Sequence, residues 1–281
     1  MKQPECINIH EDCELSSNTD INLSTKSIKA MPDSKANDKV VLITGAGKRV
    51  GAAVAQYCHQ LGMRLAIHYR ESRQQASDLC ARFNQQRQNS AIALAADLRN
   101  TDQLEGLITA VLSKWGQLDV LINNASSFYP TPLAKVTEMV WEDVMGSNLK
   151  APFFLSQSAA PYLKQQKGCI INLVDIQAQR PLKNYSVYCI AKAGLVMLTK
   201  SLAQELGPDI RVNAIAPGIV LWPDDETEFN ATLREKIVAR NVLKRAGTPQ
   251  DIANTAVFLI NHANFITGQI IAVDGGRSLG Y

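Results

Sequence analysis

What the 281-residue chain lacks narrows it first. No uninterrupted apolar run approaches the roughly 18 residues needed to cross a bilayer. The N-terminus has no apolar core of a secretory signal, and it is too acidic for an organellar transit peptide. A cytoplasmic protein without membrane attachment is therefore expected. The six cysteines (Cys6, Cys13, Cys58, Cys80, Cys169 and Cys189) contain no CxxC pair. That argues against a zinc ribbon or a dithiol redox site, so no metal is expected and the thiols read as free and reduced. The net charge is only +3, from 29 basic and 26 acidic residues, with no basic stripe. Such a surface does not coat nucleic acid. No repeat of 20–50 residues is present. What remains is ordinary globular composition, 46% hydrophobic and 20% charged, at the length of one large α/β domain.

Residues 1–38 are rich in Ser, Asn, Asp and Glu and carry 4 basic against 7 acidic residues, leaving 25 and 19 for the rest. They read as a flexible polar tail ahead of a domain spanning 39–281. From Lys39 short apolar runs alternate with helical patterns. The strand candidates are 40–44, 64–69, 91–95, 120–123, 169–174, 211–216 and 270–273. They are mostly unalternating, as strands buried on both faces of a parallel sheet are. Helices are expected at about 50–61, 73–88, 101–115, 137–164 and 185–206, the fourth broken at Pro152 or between two helices. The alternation predicts a single Rossmann-type, doubly wound parallel sheet of about seven strands with helices on both faces.

The first strand runs into Thr44-Gly45-Ala46-Gly47-Lys48-Arg49-Val50-Gly51 and then a helix. A glycine-rich turn there is a diphosphate site, because free backbone N–H groups and the helix dipole favour an anion. The spacing fits TGxxxGxG rather than GxGxxG, with Arg49 in place of the middle glycine. A guanidinium there adds positive charge beside phosphates or substrate. The second strand ends His68-Tyr69-Arg70 with no acid before Glu71. Arg70 pairs with a 2′-phosphate that a carboxylate would repel, so the cofactor expected is NADPH. Asp97, in Ala96-Asp97-Leu98, is placed to accept from an adenine amino group. Asn123-Asn124-Ala125-Ser126 ends the fourth strand, where side-chain amides line the crevice.

Tyr188 and Lys192 lie four apart on one helix face. An ammonium beside a phenol lowers the phenol's pKa, and that predicts a proton donor working near neutral pH. Asn148 is a candidate holder of a backbone carbonyl and a relay water.

Thr44–Gly51, Asp97, Asn123–Ala125, Asn148, Tyr188-x-x-x-Lys192, Arg211-Val-Asn213, Pro217-Gly218 and Val273-Asp-Gly-Gly276 follow one another in the order of a known family. From about Val40 to Leu279 the chain resembles the short-chain dehydrogenases/reductases. The resemblance implies hydride transfer between a nicotinamide and a substrate, with tyrosine as acid/base. It implies a cofactor site made of Gly45, Lys48, Arg49, Val50, Tyr69, Arg70, Asp97, Leu98, Asn124, Ala125, Ser126, Tyr188, Lys192, Pro217 and Gly218. It also implies a homotetramer built on the two long helices and the last strand, and a substrate lid beginning at Pro217, where Trp222 would close over the ligand.

One departure narrows the reading. Where the family usually has a serine after its fifth strand, this chain reads Asn172-Leu173-Val174-Asp175-Ile176. A carboxylate repels a developing alkoxide but suits ring N–H donors, and once protonated it can pass a proton to a ring nitrogen. Arg49, His68-Tyr69-Arg70, Asn123–Pro130 and Asp175 together resemble the pteridine reductase branch. There the residues matching Arg49, Ser126, Phe128, Asp175 and Tyr188 bind the pterin, Phe128 as a stacking shelf, and Asp175 works with Tyr188 and Lys192. Tyr185 has the spacing to Lys192 used by related enoyl-thioester reductases, but the intact Tyr188-x-x-x-Lys192 assigns it to the pocket wall. The expectation is an NADPH-dependent reductase of pteridine C=N bonds, with dihydrofolate as a further substrate. The rivals are a carbonyl or 3-oxoacyl-thioester reductase and a non-catalytic NADPH-sensing protein.

Overall fold

The computed structural model describes residues 38–221 and 230–280. The expected tail, apart from Asp38, and Trp222 lie outside the described residues. Seven strands form one parallel sheet: β1 Val40–Ile43, β2 Arg64–Tyr69, β3 Ala91–Ala95, β4 Val120–Asn123, β5 Cys169–Leu173, β6 Arg211–Pro217 and β7 Ile270–Val273. Their order is β3-β2-β1-β4-β5-β6-β7. The winding reverses between β1 and β4, and there the loops after the two strands diverge and leave a crevice.

The helices are α1 Arg49–Gln60, α2 Arg73–Gln86, α3 Leu104–Trp115, α4 Glu138–Met145, α5 Ala151–Gln165, α6 Ser186–Leu206, α7 Ala231–Ala239 and α8 Pro249–Asn261. Parallel neighbours need crossovers, and these cover both faces. Val41 and Ile43 of β1 point into a core shared with α1, α2 and α8. Val40 and Leu42 point into a second core shared with α3, α5 and α6. Both positions of the pleat must therefore be apolar, which is why the strands show no alternation.

The helical stretch 137–164 divides between two helices, α4 and α5, and Pro152 falls in the first turn of the second. The interruption is a π turn at Gly146–Lys150, just before it. Pro152 offers no N–H to the carbonyl of Asn148 four residues back, and the helix widens there. Two helices were not anticipated, α7 and α8. The signal for α8 was present: Thr248 and Asp251 form a capping box. The helix α6 is long and apolar enough on composition to cross a bilayer, but 56% of its most apolar stretch is buried inside the fold. Among the described residues Cys58, Cys80, Cys169 and Cys189 are free and buried, and burial pushes the Cys58 thiol up to about 12.

Candidate active site

The turn after β1 is held by contacts from β2 and from the end of β4. Gly45 takes φ +61° and Arg49 φ +58°. Thr44 Oγ1 accepts from the backbone N–H groups of Asn124 and Ala125, both at 2.9 Å. The Asn124 amide donates to the carbonyls of Thr44 and Gly45 at 2.8 and 3.0 Å. From the other side, the Gly45 N–H donates to His68 Nδ1 at 3.0 Å, and His68 Nε2 donates to the Ala96 carbonyl at 3.1 Å. Those two partners require the neutral ring with its proton on Nε2. Burial lowers the His68 pKa to about 4. A Cβ at Gly51 would lie 2.6 Å from the Asn124 amide nitrogen and 2.8 Å from the Gly45 carbonyl. The close approach of helix to loop thus depends on glycine.

A cavity of about 580 Å³ opens over this turn. Lys48, Arg49, Arg70 and Arg99 line it, against two acids, Glu71 and Asp97. Glycine turn, helix N-terminus and four cations fit a dianionic, phosphate-bearing cofactor. Arg70 pairs with Glu71 at 2.8 Å and both are solvated, so that pair holds Arg70 only weakly. The Asp97 carboxylate is already engaged. It accepts from the backbone N–H of Arg99 at 3.0 Å and from its guanidinium at 2.9 and 3.1 Å. These bonds hold Asp97 down at about 2.

At the cavity wall, Phe128 stacks on Tyr185 at 4.6 Å and meets Tyr188 edge-on at 4.9 Å. Tyr188 donates to Asp175 Oδ2 at 2.7 Å. Asp175 caps the short turn 176–178, its Oδ1 accepting from the Gln177 N–H at 2.8 Å. Lys192, 2% exposed, donates to the Leu173 carbonyl at 2.8 Å, and its ammonium lies 5.6 Å from the Tyr188 ring centre.

The electrostatics correct one expectation. The Tyr188 pKa is raised, not lowered. Burial acts first and the Asp175 carboxylate second, while a hydrogen bond with Ser126 pulls the other way. The phenol therefore stays protonated at neutral pH, as a donor must. Burial also raises Asp175, more than its bonds to Gln177 and Tyr188 lower it. Burial brings Lys192 down to about 8.

A family model described as enoyl-(acyl carrier protein) reductase matches residues 45–278. Pteridine reductase 1 of Leishmania tarentolae is 37% identical over 281 residues, 85% of this chain and 96% of its own. The 3-oxoacyl-[acyl-carrier-protein] reductase of Staphylococcus aureus is 36% identical over 241 residues, 85% of this chain and 97% of its own. The chain belongs to the short-chain dehydrogenase/reductase family. It is an oxidoreductase of that family, whose reductases use a nicotinamide cofactor.

Eleven of the residues named from the sequence lie together in this member of the family. Gly45, Lys48, Arg49, Val50, Arg70, Asp97, Leu98, Asn124, Ala125, Ser126 and Phe128 line the cavity. Asp175, Tyr188 and Lys192 converge beside Phe128. Tyr69 does not reach the cavity; its ring packs on the core of α1 and α2. Pro217 and Gly218 sit at the end of β6 against Val273 and Asp274. Asn148 is fully buried, and its side chain serves the loop after β4. Its amide donates to the carbonyls of Ser127 and Val144, and its Oδ1 accepts from Ser126. Thr44, His68, Arg99, Tyr129 and Asp143 were not foreseen as site residues. His68 reaches the turn through the strand register, since Ile43 pairs with Ile67 and the residues that follow them, Thr44 and His68, lie side by side.

Proposed function

We propose that this protein is an NADPH-dependent reductase of pteridine C=N bonds, converting dihydropterins to tetrahydropterins, with dihydrofolate as a further substrate. The 2.7 Å bond between Tyr188 and Asp175 carries the reading. Reduction of C=N needs hydride at carbon and a proton at nitrogen. The bound nicotinamide cofactor supplies the hydride. Asp175, pushed up by burial, is disposed to hold the proton that passes to the ring nitrogen; Tyr188 stays protonated and donates its hydrogen bond to the carboxylate left behind, which regains its proton from solvent. Lys192 adds a nearby positive charge that favours the carboxylate when Asp175 has given its proton up. A ketone would instead develop an alkoxide that faces Asp175 as a carboxylate once its proton has gone, and like charges repel. Phe128, 40% exposed, offers a flat face to a heteroaromatic ring. Arg70 and the absence of an acid at the end of β2 support NADPH over NADH.

The near-equal identity to the 3-oxoacyl reductase supports a second reading, reduction of 3-oxoacyl thioesters. Consumption of NADPH by purified protein with dihydropterins, dihydrofolate and an acetoacetyl thioester separates the two. Turnover of the ring substrates is expected. Turnover of the thioester alone would replace the first reading by the second.

For assembly we propose a homotetramer. Phe153 and Phe154 on α5 with Ile190 and Met197 on α6 expose one apolar group, and Phe258 and Phe265 near α8 expose another. Two self-complementary patches are what a dihedral tetramer uses.

A further inference from the structure

Phe128 is 40% exposed and, among the described residues, keeps ring contacts only with Tyr185 and Tyr188; the two residues beside it are tethered as well. On one side Asn148 binds the Ser127 carbonyl at 3.0 Å and the Ser126 hydroxyl at 2.7 Å. On the other, the Tyr129 hydroxyl donates to Asp143 Oδ2 at 2.8 Å. Burial and the Asp143 carboxylate raise Tyr129 to about 12, so it remains a donor. The other oxygen of Asp143 accepts from Arg99 at 2.7 Å. The same guanidinium forks onto Asp97 in the cofactor cleft. The alkyl chain of Arg99 lies over Gly146, where an added Cβ would meet it at 3.3 Å, at the start of the π turn that carries Asn148. Arg99 thus touches the supports of both tethers. An isolated exposed ion pair would matter little, but this one is forked, shared between two carboxylates and continued to a phenol.

We propose that Arg99 is a positioning residue: through Asp143 and Tyr129 it sets the stance of Phe128, and through Asp97 it links that stance to the cofactor cleft. Phe128 as the substrate shelf rests on the proposed pterin reading; the tether itself does not. Arg99 has two arms, and they predict different losses. Arg99→Met keeps the alkyl contact with Gly146 and removes both arms. Tyr129→Phe breaks only the loop arm and leaves Asp97 neutralised. Lysine keeps the charge but not the planar fork, so Arg99→Lys is expected to restore the arms only in part.

The test uses the full chain. Hydrogen exchange of residues 124–131 without ligand is expected to rise about tenfold in Arg99→Met and in Tyr129→Phe, with β5 unchanged. Each single variant raises KM for dihydrobiopterin about tenfold with kcat within threefold, and the double variant is no worse than Arg99→Met. The dissociation constant for NADPH, read from its own fluorescence, rises only where Arg99 is replaced. Unchanged exchange in Tyr129→Phe overturns the proposal whatever the substrate proves to be. Raised exchange in a protein whose wild type ignores pterins upholds the tether and refutes the pterin reading. A fall in kcat without a change in KM also overturns it, because a positioning role acts on ring binding.

Discussion

His68 makes the glycine-rich turn acid-sensitive, and the size of the effect follows from its two hydrogen bonds. The neutral ring accepts from Gly45 and donates to Ala96. A protonated ring would turn a second N–H on the Gly45 N–H, in a site 2% exposed. Burial is why the folded pKa drops from 6.5 to about 4, against the smaller upward pulls of the Ala96 carbonyl and of Asp97. Between these values the unfolded chain binds more protons than the folded one. Stability therefore rises with pH across the window and is lost as pH falls from about 6.5 towards 4; below that both states are charged and no more is lost. The loss is ~2.5 kcal/mol by pH 4.5 and about 3 kcal/mol in full. Other groups also titrate there, so the comparison is with His68→Asn, which keeps an acceptor for Gly45 and cannot charge. That variant is expected to be less stable at pH 7 by about 1–3 kcal/mol, for the unpaired Ala96 carbonyl and the lost ring volume. Urea unfolding of both proteins from pH 7.5 to 4.5, on the scale of these shifts, should show the gap closing or reversing by ~2.5 kcal/mol. Parallel curves would refute the neutral-histidine lock.

Three further outcomes follow from the site. Asp175→Asn should lower kcat for dihydropterins by roughly 10²–10⁴, the range for losing an acid–base group. It should also abolish the fall of rate with rising pH that is expected of the wild type as Asp175 loses its proton, a fall moved upward by its raised pKa. A mutant with wild-type pterin kinetics would remove Asp175 from the mechanism. Arg70→Ala is expected to raise KM for NADPH roughly 10- to 100-fold, the value of a charge-assisted phosphate contact, with NADH barely affected. Equal losses for the two cofactors would assign Arg70 no part in reading the 2′-phosphate. Gly51→Ala forces a Cβ to 2.6 Å from the Asn124 amide. It should cost about 1–3 kcal/mol in thermal unfolding and weaken NADPH binding; unaltered binding would show that the helix can retreat from the turn without cost.

Much of this protein was readable before it was folded. The inner strands are buried on both faces and so mostly apolar, and the partly exposed edge strands β3 and β7 are short and apolar too, so all seven stood out as short runs. A turn that brings a helix N-terminus onto phosphate needs residues without Cβ, and a phenol and an ammonium four apart share a helix face by geometry alone. Asp175 was legible because its chemistry departs from a pattern. Each of these signals is local, carried by residues within a turn or a strand of one another.

The tertiary structure decided what depends on adjacency between distant segments. Gly45 meets His68 only because β1 and β2 pair in one register. Thr44 receives Asn124 and Ala125 because the sheet order sets β4 beside β1. Arg99 and Asp143, 44 residues apart, join only when the loop after β3 and α4 close on one crevice. The direction of the Tyr188 shift belongs here too. Sequence spacing brought an ammonium near the phenol and implied a lowered pKa, whereas burial and a carboxylate 2.7 Å away raised it. Spacing along a helix determines which groups are neighbours. The sign of a titration depends on how much water the fold removes and on which charges it brings in from elsewhere in the chain.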